Sequence, residues 1–348
     1  MVSESDVLKS LSEVKDPELG RDLVSLNMIK NVVIDGPSVS LTLELTTPAC
    51  PMRSQMKQAV EEAVHSIPGV EQVIVTLGAR VRQGAGRPEK RRIPGVKNVV
   101  AVASGKGGVG KSTVAVNLAV ALAQTGASVG LLDADIYGPS IPIMMGLSGR
   151  PESNGEKLLP LERYGVRMIS IGFLLPSESA VIWRGPMVMK AVEQLLYDVE
   201  WGEIDYLIVD LPPGTGDAQL TLAQQVPVTG AVIVTTPQNV ALADAVKGVN
   251  MFKEVGVPIL GIIENMSYFV CPHCQGRTEL FSHGGGAETA ERLGVRFLGE
   301  IPLDAEVRKA GDEGSPIVQS RYDSPQASAF RDLAEKVAAA VSVSTSCE

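Results

Sequence analysis

Residues 105–112 read Gly105-Lys106-Gly107-Gly108-Val109-Gly110-Lys111-Ser112, directly after the apolar run VVAVAS and directly before TVAVNLAVALAQTG. The octapeptide satisfies G-x-x-x-x-G-K-[ST], and a strand before it with a helix after it is the setting that gives this pattern its meaning. Its glycines let backbone N–H groups curl around phosphate oxygens, and the helix N-terminus that follows adds favourable partial charge. Lys111 is spaced to reach β- and γ-phosphates and Ser112 to ligate Mg²⁺, so Gly105 through Thr113 form a candidate ATP-binding stretch.

Working outward, SVGLLDAD, YLIVDLP, GAVIVTTP, PILGIIE and FLGEIP are short, continuous and rich in Val, Ile and Leu, as strands buried on both faces are. Helical stretches lie between them, which predicts a mostly parallel α/β sheet covered on both sides. Such a loop needs carboxylates at neighbouring strand ends. YLIVD places Asp210 there, aimed at the Mg²⁺ sphere, and LLDAD places Asp133 and Asp135 two apart, both pointing to one side if extended. One of that pair suits the metal shell and the other a water-positioning role; capping of the next turn is the simpler alternative. Leu211–Gly216 reads as a switch loop facing the γ-phosphate.

Lys106 departs from a plain phosphate loop. KGGVGKS resembles the deviant Walker A class shared by MinD/ParA proteins, arsenite ATPases and nitrogenase iron protein. In that class the early lysine crosses a two-fold interface, so the resemblance implies an ATP-sandwiched homodimer with Lys106 and Lys111 both catalytic.

Cys271-Pro272-His273-Cys274 forms a second cluster. Two thiolates at this spacing chelate one soft metal ion from a single turn. A redox dithiol, half a zinc knuckle and half a cluster site all fit the spacing. The dithiol is disfavoured because the run sits in a loop rather than at a helix start. Both metal readings want four thiolates, and a two-fold dimer supplies the missing pair. His273 reads as solvent-facing.

With both motifs in hand, the chain resembles the Mrp/ApbC (Nbp-type) family of P-loop iron–sulfur cluster carriers. SGKGGVGKST, DADIYGPSIP, DLPPGTGD, ENMSYFVCPHC and LGEIPLD carry the likeness in order over roughly 97–340. DPELGRDLVSLNMIKNV and LTTPACPM resemble the small domain that many members carry ahead of the ATPase, one also found in iron–sulfur assembly factors. The resemblance implies slow ATP hydrolysis and a [4Fe–4S] cluster bridging Cys271 and Cys274 of two subunits. It also implies exchange of that cluster with scaffold proteins and apo iron–sulfur proteins. By the same resemblance Asn265 contacts adenine. The expected organisation is a small α+β domain over 1–78, a basic Gly/Pro linker over 79–95, a P-loop ATPase domain over 96–340 and a tail over 341–348. The linker, with its basic cluster, reads as a solvated tether.

Composition sets the boundaries. With 31 basic and 40 acidic residues the net charge is −9, which argues against wrapping nucleic acid through phosphate contacts. Four cysteines in 348 residues are no disulfide framework, and no apolar run reaches the ~18 residues of a membrane helix. A cytoplasmic protein is expected. Cys50, just before the helix near Met52, is a candidate transfer thiol, because a helix N-terminus lowers a thiol pKa; an ordinary half-buried cysteine is the alternative. Cys347 reads as a frayed spectator. The alternative function is a MinD/ParA-like positioning ATPase whose cysteines form a structural Cys₄ zinc bridge. That reading lacks a basic amphipathic C-terminal helix and leaves the cysteine pair without a purpose in positioning.

Overall fold

The computed structural model describes residues 2–83, 91–136, 138–173 and 185–346. Near the amino end, β1 (Ile29–Asp35) and β2 (Ser38–Leu45) form an antiparallel hairpin that turns at Gly36, where φ is +57°. β3 (Gln72–Ala79) joins β2 in parallel. Alternation along β2 sends Val39, Leu41, Leu43 and Leu45 inward. Two helices, α1 (Glu4–Leu11) and α2 (Arg53–His65), bury Val7, Leu11, Met56, Val60 and Val64 in the same small core. Ser3 and Asp6 close a capping box at the start of α1.

The rest is organised on an eight-stranded sheet. It comprises β4 (Val96–Ala103), β5 (Val129–Asp133), β6 (Leu161–Arg163), β7 (Val166–Ser170), β8 (Ile204–Asp210), β9 (Gly230–Thr235), β10 (Ile259–Glu264) and β13 (Phe297–Glu300). The order is β13-β10-β9-β4-β8-β5-β7-β6, parallel throughout except that β6 runs antiparallel to β7. A ribbon of β11 (Phe269–Val270) and β12 (Arg277–Thr278) stands apart from it. One face packs on α3 (Lys111–Gln124), α4 (Ile141–Met145), α9 (Ala305–Asp312), α10 (Ile317–Ser320) and α11 (Pro325–Ser346). The other packs on α5 (Gly185–Tyr197), α6 (Asp217–Gln225), α7 (Asn239–Glu254) and α8 (Gly285–Leu293). Burial on both faces explains why the central strands read as unbroken apolar runs.

Three features differ from the sequence expectation. β6 and β7 were not anticipated, because Glu162, Arg163 and Arg167 interrupt the apolar pattern at the sheet edge. α11 runs on through residues 341–346, with Val341 buried against the sheet, so most of the expected tail is helix. Cys347 lies outside the described residues. The basic stretch is no free tether where it is described. Val81 and Ile93 are buried, Arg82 donates to the Leu26 carbonyl at 2.9 Å, and Asn98 Nδ2 donates to the Arg82 carbonyl at 2.9 Å. The middle of that stretch, 84–90, lies outside the described residues.

The small sheet sits against the end of the large one that is remote from the 105–112 loop. Tyr206, early in β8, donates its hydroxyl to Thr47 Oγ1 at 3.0 Å, and Ala49 shares the apolar core of α3 and α11. A cleft of about 710 Å³ lies at this seam, bordered by Arg80, Arg82, Lys97, Glu44 and Glu203.

Candidate functional site

The 105–112 loop leaves β4 and enters α3 with Gly108 and Gly110 both at φ +81°, a left-handed conformation that glycine adopts at little cost. Lys111 folds back so that its ammonium, only 5% exposed, lies 2.6 Å from Asp210 Oδ1 and 3.4 Å from Asp135 Oδ2. Ser112 donates to Asp210 Oδ2 at 2.6 Å. Lys111, Ser112, Asp135 and Asp210 therefore converge at one point. Leu211 N donates to the Val102 carbonyl and Gly214 N to that of Ser104, which docks the expected switch loop alongside the phosphate loop.

Asp133 and Asp135 part company. Asp135 reaches Lys111, and its Oδ1 is buried with no hydrogen-bond partner. Asp133 is fully enclosed and accepts from Ser170 Oγ at 2.9 Å, Asp135 N at 3.2 Å and Ile141 N at 3.4 Å. Burial, reinforced by the neighbouring Asp210 carboxylate, pushes the Asp133 carboxyl up to about 8. Burial also raises Asp210, against the pull of Lys111 and the Ser112 hydroxyl. Three enclosed carboxyl groups around one ammonium, with the orphaned Asp135 oxygen among them, form a donor set that fits a hard divalent cation such as Mg²⁺.

Lys106 is half-exposed and, among the described residues, makes no ion pair; its carbonyl accepts from Ser104 Oγ at 2.9 Å. Gly105 lies against the backbone of Asp244 in α7, leaving no room there for a side chain. Thr113 gives its carbonyl to Asn117 Nδ2. Asn265, expected at the adenine, donates an amide N–H to the Val109 carbonyl at 2.8 Å, bracing the phosphate loop from the end of β10.

The cysteine pair lies on the hairpin between β11 and β12. Cys271 N donates to the Gly276 carbonyl at 3.0 Å and Gln275 N to the Cys271 carbonyl at 2.9 Å. This tight turn aims the backbone N–H groups of Cys274 and His273 at the Cys271 sulfur, and they, with the Cys274 side chain, lower its pKa. A side chain on Gly276 would meet Cys274 Sγ at 3.2 Å, so glycine keeps space for the sulfur. Cys274 and His273 are exposed, as expected of an open ligand pair with a solvent-facing histidine.

Cys50 corrects the expectation. Its thiol is buried, and desolvation pushes it up to about 11, with Glu18, Asp16 and Glu335 adding to the rise and outweighing the Met52 backbone N–H. Helix proximity loses to burial.

Sequence reading missed the polar groups at the ends of β10 and β13. Glu264 and Glu300 each close an apolar strand, the same signal that singled out Asp210.

The family model described as NUBPL iron-transfer P-loop NTPase matches residues 95–338, and that described as iron–sulfur cluster assembly protein matches 4–76. The chain is 53% identical to an iron–sulfur cluster carrier protein of Synechocystis sp., over 99% of each chain. It is 53% identical to the iron–sulfur cluster transfer protein NUBPL of Dictyostelium discoideum, over 71% of this chain and 78% of that one. Among solved structures it resembles a nucleotide-binding protein from Archaeoglobus fulgidus in complex with ADP, at 44% identity and TM-score 0.58, covering 64% of this chain and 88% of that one. It also resembles the cell division ATPase MinD of Pyrococcus furiosus, at 26% identity and TM-score 0.53, covering 69% of this chain and 98% of that one. Among the described residues, no helix is long and apolar enough to cross a membrane. A MinD/ParA-like sheet, a phosphate loop with its converging carboxylates and these relatives give one answer: the chain belongs to the NUBPL-type family of iron-transfer P-loop NTPases.

Proposed function

We propose that this protein is a cytoplasmic, ATP-hydrolysing iron–sulfur cluster carrier. Two copies hold a [4Fe–4S] cargo between their Cys271 and Cys274 thiolates and pass it to apo iron–sulfur proteins, with scaffold proteins as the source. The observation that carries the reading is the exposed Cys271–Cys274 hairpin, whose turn geometry favours the Cys271 thiolate, on a chain that also has a complete phosphate loop. Cargo that must be released suits an open pair of ligands better than a closed structural cage.

Hydrolysis in this reading is positional and electrostatic. Lys111 neutralises phosphate charge, with Lys106 of the partner copy reaching the same nucleotide across the two-fold axis. Ser112 and Asp210 hold Mg²⁺, and Asp135 orients water beside them. Asp133, enclosed behind this group, holds the Asp135 backbone and Ser170 in place rather than touching the phosphate. None of these groups is a strong base, so turnover is slow without an acceptor protein.

The test is cluster transfer to a [4Fe–4S] apoenzyme, followed as recovered acceptor activity. Wild type should transfer with Mg-ATP. Cys271→Ala/Cys274→Ala should not transfer at all, and Lys111→Ala should lose the nucleotide dependence. Transfer by the double cysteine variant would overturn the carrier reading. Unchanged transfer by Lys111→Ala would overturn its link to ATP.

A further inference from the structure

Glu264 and Glu300 are register partners at the carboxyl ends of β10 and β13. Two carboxylates side by side repel unless donors surround them. Glu264 is fully buried and accepts from Ser267 Oγ at 2.6 Å, Gly284 N at 3.0 Å and Gly286 N at the start of α8. A side chain on Gly286 would meet Glu264 Oε2 at 2.9 Å, so bare backbone is needed where the carboxylate docks. Glu300 Oε2 lies 3.0 Å from the same Ser267 oxygen and 2.6 Å from His283 Nε2, and its Oε1 stands 3.5 Å from Arg277 Nη2.

Arg277 completes the group. Its Nη2 lies 2.6 Å from His283 Nε2, and its guanidinium lies 3.8 Å from the centre of the Tyr268 ring, within cation–π range. Arg277 is in β12, paired with Val270, and immediately follows Gly276, whose carbonyl holds Cys271 N. At the other end, Glu264 adjoins Asn265, whose amide braces Val109 of the phosphate loop. One continuous set of contacts thus runs from that loop to the root of the cysteine hairpin. Glu264, His283 and Glu300 have the makings of a cation site, with ligand atoms within 4.8 Å. The guanidinium of Arg277 already supplies positive charge at Glu300 and His283, and Glu264 is committed to three donors.

We propose that Arg277, held by Glu300 and by the face of Tyr268, is a positioning residue through which nucleotide at the phosphate loop sets the presentation of the Cys271–Cys274 thiols. The inference rests on those thiols being the cargo ligands, as proposed above. Arg suits the position because its fork meets Glu300 while its planar face covers Tyr268.

The test uses the full chain, reduced and free of metal, with and without Mg-ATP. Alkylation of Cys271 and Cys274 is timed by mass spectrometry in wild type, Arg277→Ala, Arg277→Lys and Glu300→Gln, with ATP affinity measured on the same samples. Wild type should show a nucleotide-dependent rate ratio of about 3 or more, within the range of networks that link sites. Arg277→Ala and Glu300→Gln should bring the ratio close to one with ATP affinity unchanged, and Arg277→Lys should restore part of it. A wild-type ratio of one, or a full ratio in Arg277→Ala and Glu300→Gln, overturns the inference. Glu300→Gln keeps the side-chain shape and so remains informative if Arg277→Ala fails to fold. No cluster takes part, so failure here is distinct from failure of the carrier reading, which shows as absent transfer.

Discussion

Asp133 and Asp210 face each other as register partners at the ends of β5 and β8, both shut away from solvent. Burial and the Asp210 carboxylate raise Asp133 to about 8, whereas Lys111, 2.6 Å from Asp210, favours the ionised form of Asp210. The folded chain holds the Asp133 proton more tightly than the unfolded chain. That contribution to stability is full below the unfolded aspartate's pKa and is lost as pH rises to about 8. Asp133→Asn removes the dependence. Its Tm relative to wild type should therefore be higher at about pH 8.5 than at about pH 5. A Tm difference that does not change with pH would place the titrating proton elsewhere.

Asn265 offers a clean separation of two roles. If its amide braces Val109, Asn265→Ala should weaken ATP and GTP binding alike, by on the order of 1 kcal/mol, the worth of one buried hydrogen bond. Loss confined to adenine nucleotides, read by calorimetry, would support the adenine contact that the family resemblance implies.

The thiols should divide by reactivity. At neutral pH a maleimide should modify Cys274 and Cys271 in the native chain and reach Cys50 only on unfolding, because the Cys50 thiol is buried and pushed up to about 11. Rapid native labelling of Cys50 would mean that the small core around it opens in the native chain.

The seam between the two sheets includes a buried hydroxyl pair. Tyr206→Phe deletes the donor to Thr47 Oγ1, which still accepts from Ala49 N, so the loss should be about 1 kcal/mol in chemical denaturation. Nucleotide affinity should not change, since the seam lies at the far end of the sheet from the phosphate loop.

Much of this was readable before any coordinates. Central strands buried on both faces announce themselves as apolar runs, and a carboxylate closing such a run marks the nucleotide end of the sheet, as Asp210 does. Edge strands β6 and β7 are half-solvated and interrupted by charge, so they leave no such trace. The grouping of Arg277, His283 and Glu300 was hidden for a different reason. Its members are scattered over 24 positions and meet only because β13 pairs with β10 and the hairpin folds back. Cys50 shows the limit of a local rule: a helix start argues for an acidic thiol, whereas its surroundings in the folded chain decide the opposite.

The central claim is that Cys271 and Cys274 hold a shared iron–sulfur cargo. The most direct measurement is an anaerobic visible spectrum after iron and sulfide reconstitution, with iron, sulfide and zinc quantified on the same sample and on Cys271→Ala/Cys274→Ala. The account predicts cluster absorption that the double variant loses, with about two iron and two sulfide per chain, as a four-iron cluster shared by two chains requires. Zinc at about half an equivalent per chain, with no cluster absorption, would contradict it and make the four thiolates a structural bridge.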